Sequence, residues 1–230
     1  MQELRAAFEQ VPELYDRARP NYPPEVFDDL AELAQPQEAA RIVEIGCGTG
    51  QATLPLAERG YEITCVELGE QLATVARRKL TRFPNVEVIN ANFESWQPLR
   101  AEFDAAFAFT AFHWIAPEMR YVKTASLLRE HGTLAVVSTN HVLSIEGDEF
   151  FVEVQEDYEA IVPEDPSYLW DVIYDADEYI GVLSTYSGHR ALDDNTRERL
   201  LSRIHQRIEA RPGSQVRKTY LATLNVSERL

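Results

Sequence analysis

The chain has only two cysteines in 230 residues, Cys47 and Cys65. Both fall in or beside segments that read as strands and offer no disulfide framework, so a reduced, cytoplasmic setting is the expectation. Positive charge is equally scarce: 22 Lys and Arg stand against 38 Asp and Glu, a net charge of −16, and no basic cluster exceeds Arg77-Arg78-Lys79. A field of that sign repels a polyphosphate backbone, which argues against nucleic acid as a partner. Long apolar runs are missing too. No segment approaches the ~20 residues needed to cross a bilayer. The N-terminal stretch MQELRAAFEQVPELYD mixes acidic residues among its apolar ones, where a secretion signal has a basic start and an unbroken apolar run. No membrane association is expected, and low-complexity tracts and internal repeats are also lacking. What the chain does have is apolar material, 45% of its residues, enough for one sizeable core, and a length that suits a single domain with an elaboration.

From residue 41 the segments alternate between strand-like and helix-like. RIVEIG, YEITCVEL, VEVIN, FDAAFAF and TLAVVS read as strands. Between them, QATLPLAERG reads as a helix closed by Gly60, EQLATVARRKLTRF as a helix with Leu72, Val75, Ala76 and Leu80 on one face, and PEMRYVKTASLLREHG as a helix with Pro117 in its first turn. Such alternation implies parallel strands with crossover helices on both faces, a doubly wound α/β sheet. After residue 140 the rhythm changes. Phe150, Phe151, Val154, Tyr158 and Ile161 make a helical stripe, so residues 141–190 are expected to form an insertion over one end of the sheet. NTRERLLSRIHQRIEARPG then reads as a long helix with Leu200, Leu201, Ile204 and Ile208 inward, and VRKTYLATLNV as a last strand.

Three glycines, at 46, 48 and 50, crowd the turn after the first strand. Glycine inside an element is destabilising by roughly 0.5–1 kcal/mol relative to Ala, so this spacing implies a sharp bend or the close approach of a ligand. In an open parallel sheet that turn is where ligands contact the chain. A dinucleotide fingerprint needs a glycine at position 51, which is Gln51, and a phosphate-binding P-loop needs a Lys-Ser/Thr pair after its last glycine, which is absent.

What remains is Glu44-x-Gly46-x-Gly48-x-Gly50, with Glu67 closing the second strand. Here the chain resembles the class I S-adenosylmethionine-dependent methyltransferases, in particular their small-molecule branch. That resemblance implies a Rossmann-like sheet of seven strands, mostly parallel with an antiparallel C-terminal strand, and a helical lid. It divides a single domain into an N-terminal helical cap (1–40), a cofactor-binding half (41–140), a substrate lid (141–190), and a closing helix and strand (191–230). It implies S-adenosyl-L-methionine as cofactor, S-adenosyl-L-homocysteine as its product, and no metal. The cofactor would be held by Glu44, Gly46, Cys47, Gly48, Thr49 and Gly50 around the turn, with the Glu67 carboxylate accepting from the ribose hydroxyls and Leu68 beside it. Asn92 stands where the family commonly has Asp facing the adenine amino group, and Phe93 either packs on the adenine or belongs to the core. The aromatic-rich segment FTAFHWIAP brings Thr110, Phe112, His113 and Trp114 under the sulfonium. LYDRARPNYPPEVFDDL, ahead of the sheet, would fold Tyr15, Arg19 and Tyr22 across the cofactor, with Arg19 available to its carboxylate.

Methyl transfer from a sulfonium demands alignment and exclusion of water, and a base only where the acceptor arrives protonated. His113 is the candidate base, its other reading being a loop-orienting histidine. Tyr174, Tyr186 and His141 are further candidates. The expected acceptor is a small organic molecule. The competing readings are a methyltransferase of RNA or protein, against which stand the charge and the absence of an Asn/Asp-Pro-Pro-aromatic segment, and a module that binds the cofactor without catalysis.

Overall fold

A computed structural model describes residues 10–36, 39–100, 102–141 and 167–230. The chain enters through α1 (Pro12–Ala18) and α2 (Pro24–Ala34), each with proline in its first turn, where the ring's fixed φ suits the helix and no N–H bond is lost. There follow β1 (Arg41–Ile45), α3 (Thr53–Glu58), β2 (Glu62–Glu67), α4 (Glu70–Leu80), β3 (Val86–Asn90), β4 (Phe103–Phe109), α5 (Pro117–Leu127) and β5 (Leu128–His141). The described chain closes with β6 (Ser167–Asp175), α6 (Ala176–Ser184), α7 (Ser187–Arg190), α8 (Asp194–Glu209) and β7 (Gln215–Glu228).

The seven strands form one sheet in the order β3-β2-β1-β4-β5-β7-β6. β1 through β5 pair in parallel, and β7 runs antiparallel between β5 and β6. Alternation along each strand sends successive side chains to opposite faces. Ile42 and Cys65 therefore join α2, α3 and α4 on one side, while Val43, Ile45 and Val66 join Phe93, Phe112 and Leu127 on the other. The doubly wound expectation holds, and the order reverses between β1 and β4, the position at which such sheets bind ligands.

Three sequence readings need correction. α5 ends at Leu127 and the chain turns extended at Leu128, which pairs with Phe103. Leu127 and Leu128 are both buried, and consecutive residues on a helix point about a quarter-turn apart, so a strand start serves both better. Residues 167–175 are the edge strand of the sheet rather than part of an insertion. Tyr168 and Tyr174 are buried while Leu169 and Ile173 stand exposed, the period of two that the stretch SYLWDVIYD carries in its sequence. α8 exists, yet of its expected inner face only Ile208 is buried and Leu200 is exposed, because the helix packs mainly on α6 and only marginally on β7 of the sheet. The helical stripe from Phe150 to Ile161 lies outside the described residues. Among the described residues no helix is long and apolar enough to cross a membrane.

Candidate active site

A cavity of about 400 Å³ opens beyond the carboxyl ends of β1, β2 and β4, within the range of small-molecule sites. Gly46 and Gly48 form its floor with φ of 68° and 57°, a region costly for any residue with a Cβ. At Gly46 there is no room either: an added Cβ would lie 2.7 Å from the Ala111 Cβ. Gly50, at φ 80°, instead admits Leu80 of α4, whose Cδ1 would be 3.1 Å from an added Cβ. The first and second glycines thus shape the cavity, and the third seats a helix.

Glu67 lies at the turn's centre, 7% exposed. Its Oε2 accepts the Gly48 N–H at 2.8 Å and its Oε1 the Gly69 N–H at 2.7 Å. An ionised carboxylate accepts on both oxygens, and these bonds fix the loop. Asn92 accepts the Glu94 N–H on its amide oxygen at 2.9 Å, so its NH₂ is the half left for a ligand among the described residues. Phe93 lines the cavity and packs in the core as well. Leu68, 47% exposed, forms the rim.

The segment before the sheet does cross the cavity. Tyr22 donates to or accepts from Thr110 Oγ1 at 2.8 Å and packs edge-on against Phe109. Thr110 holds φ 53°, strained for a β-branched residue, and is fixed there by Tyr22 and by Thr139 Oγ1 at 3.2 Å. Arg19 lies between the rings of Tyr15 and Tyr186, 5.1 and 4.5 Å from their centroids, and its Nε donates to Thr185 Oγ1 at 2.9 Å. His113 sits at the mouth in a short 3₁₀ turn, its ring 4.9 Å from that of Trp114. Burial, and then the nearby Arg120 guanidinium, lower its pKa, which keeps the imidazole neutral near pH 7.

Of the sequence candidates, Arg19, Tyr22, Gly46, Gly48, Glu67, Leu68, Asn92, Phe93, Thr110, His113 and Trp114 line this one cavity. Glu44, Cys47, Thr49, Gly50 and Phe112 do not. Cys47 and Thr49 alternate with the lining glycines and turn inward, Thr49 to full burial. Phe112 faces the core of the second sheet face. Tyr186 lines the cavity, Tyr174 stands behind it bonded to the Tyr220 hydroxyl at 3.0 Å, and the His141 side chain is outside the described residues. The sequence reading missed Trp170 and Tyr220, which stack at 5.3 Å and close the far wall. The alternation in β6 and β7 was the available signal.

Glu44 is 1% exposed, beside Cys65 and Thr53, and burial pushes its carboxyl up to about 7. A carboxyl with a raised folded pKa holds its proton in the folded state while the unfolded chain has lost it. Stability therefore falls as pH rises from about 4.5 to about 7, by about 3 kcal/mol at one pKa unit per 1.36 kcal/mol. The Glu44→Gln protein is expected to lack that share of the fall. Urea denaturation of both proteins at pH 5 and pH 8 checks it, and parallel curves would place the Glu44 pKa at its ordinary value.

The fold is a Rossmann-like sheet with a cavity at the point where its strand order reverses. Residues 42–132 match the family model described as a methyltransferase domain. The chain is 32% identical over 123 residues to an uncharacterized methyltransferase of Mycobacterium tuberculosis, a match covering 54% of this chain and 48% of that one. Among solved structures, a protein of Anaeromyxobacter dehalogenans described as a type II methyltransferase superposes with a TM-score of 0.61 at 22% identity, covering 92% of this chain and 98% of that one. An S-adenosylmethionine-dependent methyltransferase of Thiobacillus denitrificans, solved with S-adenosyl-L-homocysteine, superposes with a TM-score of 0.50 at 14% identity, covering 92% and 96%. Residues 42–132 are thus similar to a methyltransferase domain, and the chain shares the Rossmann-like fold of solved methyltransferases. It spans about half the length of the first curated relatives it matches.

Proposed function

We propose that the protein transfers a methyl group from S-adenosyl-L-methionine to a small organic acceptor, and that it needs no nucleic acid or membrane for this. The observation that carries the reading is the convergence of the Gly46–Gly48 floor, the Glu67 carboxylate and His113 on one cavity. The residues fit the cofactor: the floor has no room for a Cβ at Gly46, and the Glu67 carboxylate lines the cavity beside that floor. When bound, the cofactor would supply a transferable methyl group on a positively charged sulfur.

The chain's own part is positional. Glu67 and Asn92 hold the ribose and adenine ends, Arg19 meets the amino-acid carboxylate, and Tyr15 and Tyr22 cover the site and exclude water. His113 takes the acceptor's proton on its neutral imidazole, in-line transfer requiring no other base. A cavity of about 400 Å³ suits a small acceptor beside the cofactor and not a folded macromolecule.

The test is the binding of S-adenosyl-L-homocysteine to the Glu67→Ala protein. Hydrogen bonds to a charged group are worth ~1.5–3 kcal/mol, so the dissociation constant should rise by about 10- to 100-fold. Calorimetry showing an unchanged constant in a folded variant would remove Glu67 from the ribose. A wild-type protein that binds the cofactor yet labels no component of a metabolite pool with tritiated methyl is instead a binding module.

A further inference from the structure

The cavity's far wall is chemically unlike its floor. β7 pairs with β5 from Glu228 back to Tyr220, and with β6 from Gln215 to Thr223. Its first residues thus pair only with β6 among the described residues and carry the ribbon past the shared sheet. One face of that ribbon bears Trp170, Tyr174, Lys218 and Tyr220, since Trp170 sits across from Tyr220 and Val172 across from Lys218. α6 and its neighbours add Tyr179 and Tyr186 over this face.

Among the described residues the carboxylates lining the cavity, Glu67 and Glu94, belong to the β2 and β3 side. At the aromatic wall the charged lining group is Arg19, and Lys218 stands behind the wall beside Tyr179 and Tyr220, outside the cavity lining. Neither has a carboxylate partner among the described residues, although the chain carries 38 acidic side chains. Glu178, the acid near Tyr174, is engaged in capping α6 through Asp175. Lys218 is half-buried, its Nζ 5.6 Å from the ring centroids of both Tyr179 and Tyr220 and 3.5 Å from the Tyr179 hydroxyl. Burial and Arg19 both work against its charge. A cation withdrawn from water without a counter-ion is costly, and an arriving anion relieves that cost. Under the methyl-transfer reading, on which this inference rests, the cofactor carries one carboxylate and Arg19 takes it. Lys218 is then left for the acceptor, and its flexible four-carbon stem allows it to reach the edge of Tyr220.

We propose that the methyl acceptor is a planar, aromatic or conjugated carboxylate, laid against Trp170, Tyr186 and Tyr220 and anchored through its carboxylate by Lys218. The rings supply flat apolar contact and the ammonium supplies the choice of charge. The carboxylate is the handle, and the methyl goes to a nucleophilic atom elsewhere on the acceptor.

The experiment is an NMR titration of the full chain, saturated with S-adenosyl-L-homocysteine, with cinnamate, cinnamamide and hexanoate. Cinnamate should bind at least tenfold tighter than the uncharged amide of the same shape, and tighter than the aliphatic carboxylate. Lys218→Met should erase the preference for cinnamate over cinnamamide while the affinity for S-adenosyl-L-homocysteine stays unchanged, and Lys218→Arg should keep it. Equal binding of cinnamate and cinnamamide to the cofactor-saturated wild type overturns the inference and leaves methyl transfer standing. So does a preference that survives in the Lys218→Met protein. A wild type that fails to bind S-adenosyl-L-homocysteine overturns the methyl-transfer reading, and the inference falls with it.

Discussion

Replacing His113 with Ala is expected to lower turnover by ~10²–10⁴-fold, the range of general base catalysis, while the affinity for S-adenosyl-L-homocysteine stays within about twofold of wild type. The histidine stands at the cavity mouth, on a turn held by the Trp114 and Ile115 N–H bonds to Ala111 and Phe112. Its side chain can be removed without touching the glycine floor or Glu67. Burial and the Arg120 guanidinium hold its pKa below the ordinary 6.5. The basic form therefore persists to lower pH than in a free imidazole, and wild-type turnover should rise with pH to a plateau, with its midpoint below 6.5. The Ala protein should lose that acidic limb. Steady-state rates from pH 5 to 8 and calorimetry on the same preparations decide the matter. Equal losses of turnover and cofactor affinity would make His113 a binding residue, and near-normal turnover would leave alignment as the whole mechanism.

The largest effect on stability is expected at Gly46, where Val should destabilise the fold by about 2–5 kcal/mol. Two costs combine: a left-handed backbone conformation costs a residue with a Cβ roughly 1–2 kcal/mol, and overpacking a filled site costs roughly 1–3 kcal/mol. Both conditions are met at φ 68° with the Ala111 Cβ 2.7 Å from the new atom. Nor can Ala111 readily give way, because it opens the turn that carries His113. Gly48 is the contrast. At φ 57° its nearest neighbour to an added Cβ is Tyr15 Cε1, at 3.9 Å. Gly48→Val should therefore spare more of the fold and fill the cavity floor instead. Urea midpoints of the two proteins, with S-adenosyl-L-homocysteine titrations of whichever folds, separate the roles. A Gly46→Val midpoint equal to wild type would mean that the loop has a second conformation.

The sequence located β1 to β4 because their cores are short runs of β-branched and aromatic residues, bounded by Gly60, by polar stretches or by the glycine turn. It located that turn because positive φ at 46, 48 and 50 is a demand that glycine meets at no steric cost. Both are local properties, written in neighbouring residues. It misjudged the start of β5 and the role of residues 167–175, since whether an apolar stretch becomes a strand or a helix depends on which partner lies beside it. For Ser167–Asp175 that partner is β7, 40 to 56 residues later in the chain.

The same division runs through the site. The family resemblance brought forward Glu44, Cys47, Thr49 and Gly50 together with Gly46 and Gly48, because a motif records residue types in order and not the side to which each one turns. The sheet's alternation and the packing of α4 decide that: Gly46 and Gly48 face the cavity, Cys47 and Thr49 turn into the core, Gly50 admits Leu80, and Glu44 lies buried against Cys65. Local chemistry thus determined, from the sequence by itself, a Rossmann-like sheet with a glycine turn and an acid after its second strand. The cavity's aromatic wall is made of Trp170, Tyr186 and Tyr220, with Lys218 behind it, contributed by elements distant in sequence that meet only when β6 and β7 pair at the sheet's edge. Long-range pairing decided it, and no local pattern encodes which distant residues such pairing brings together.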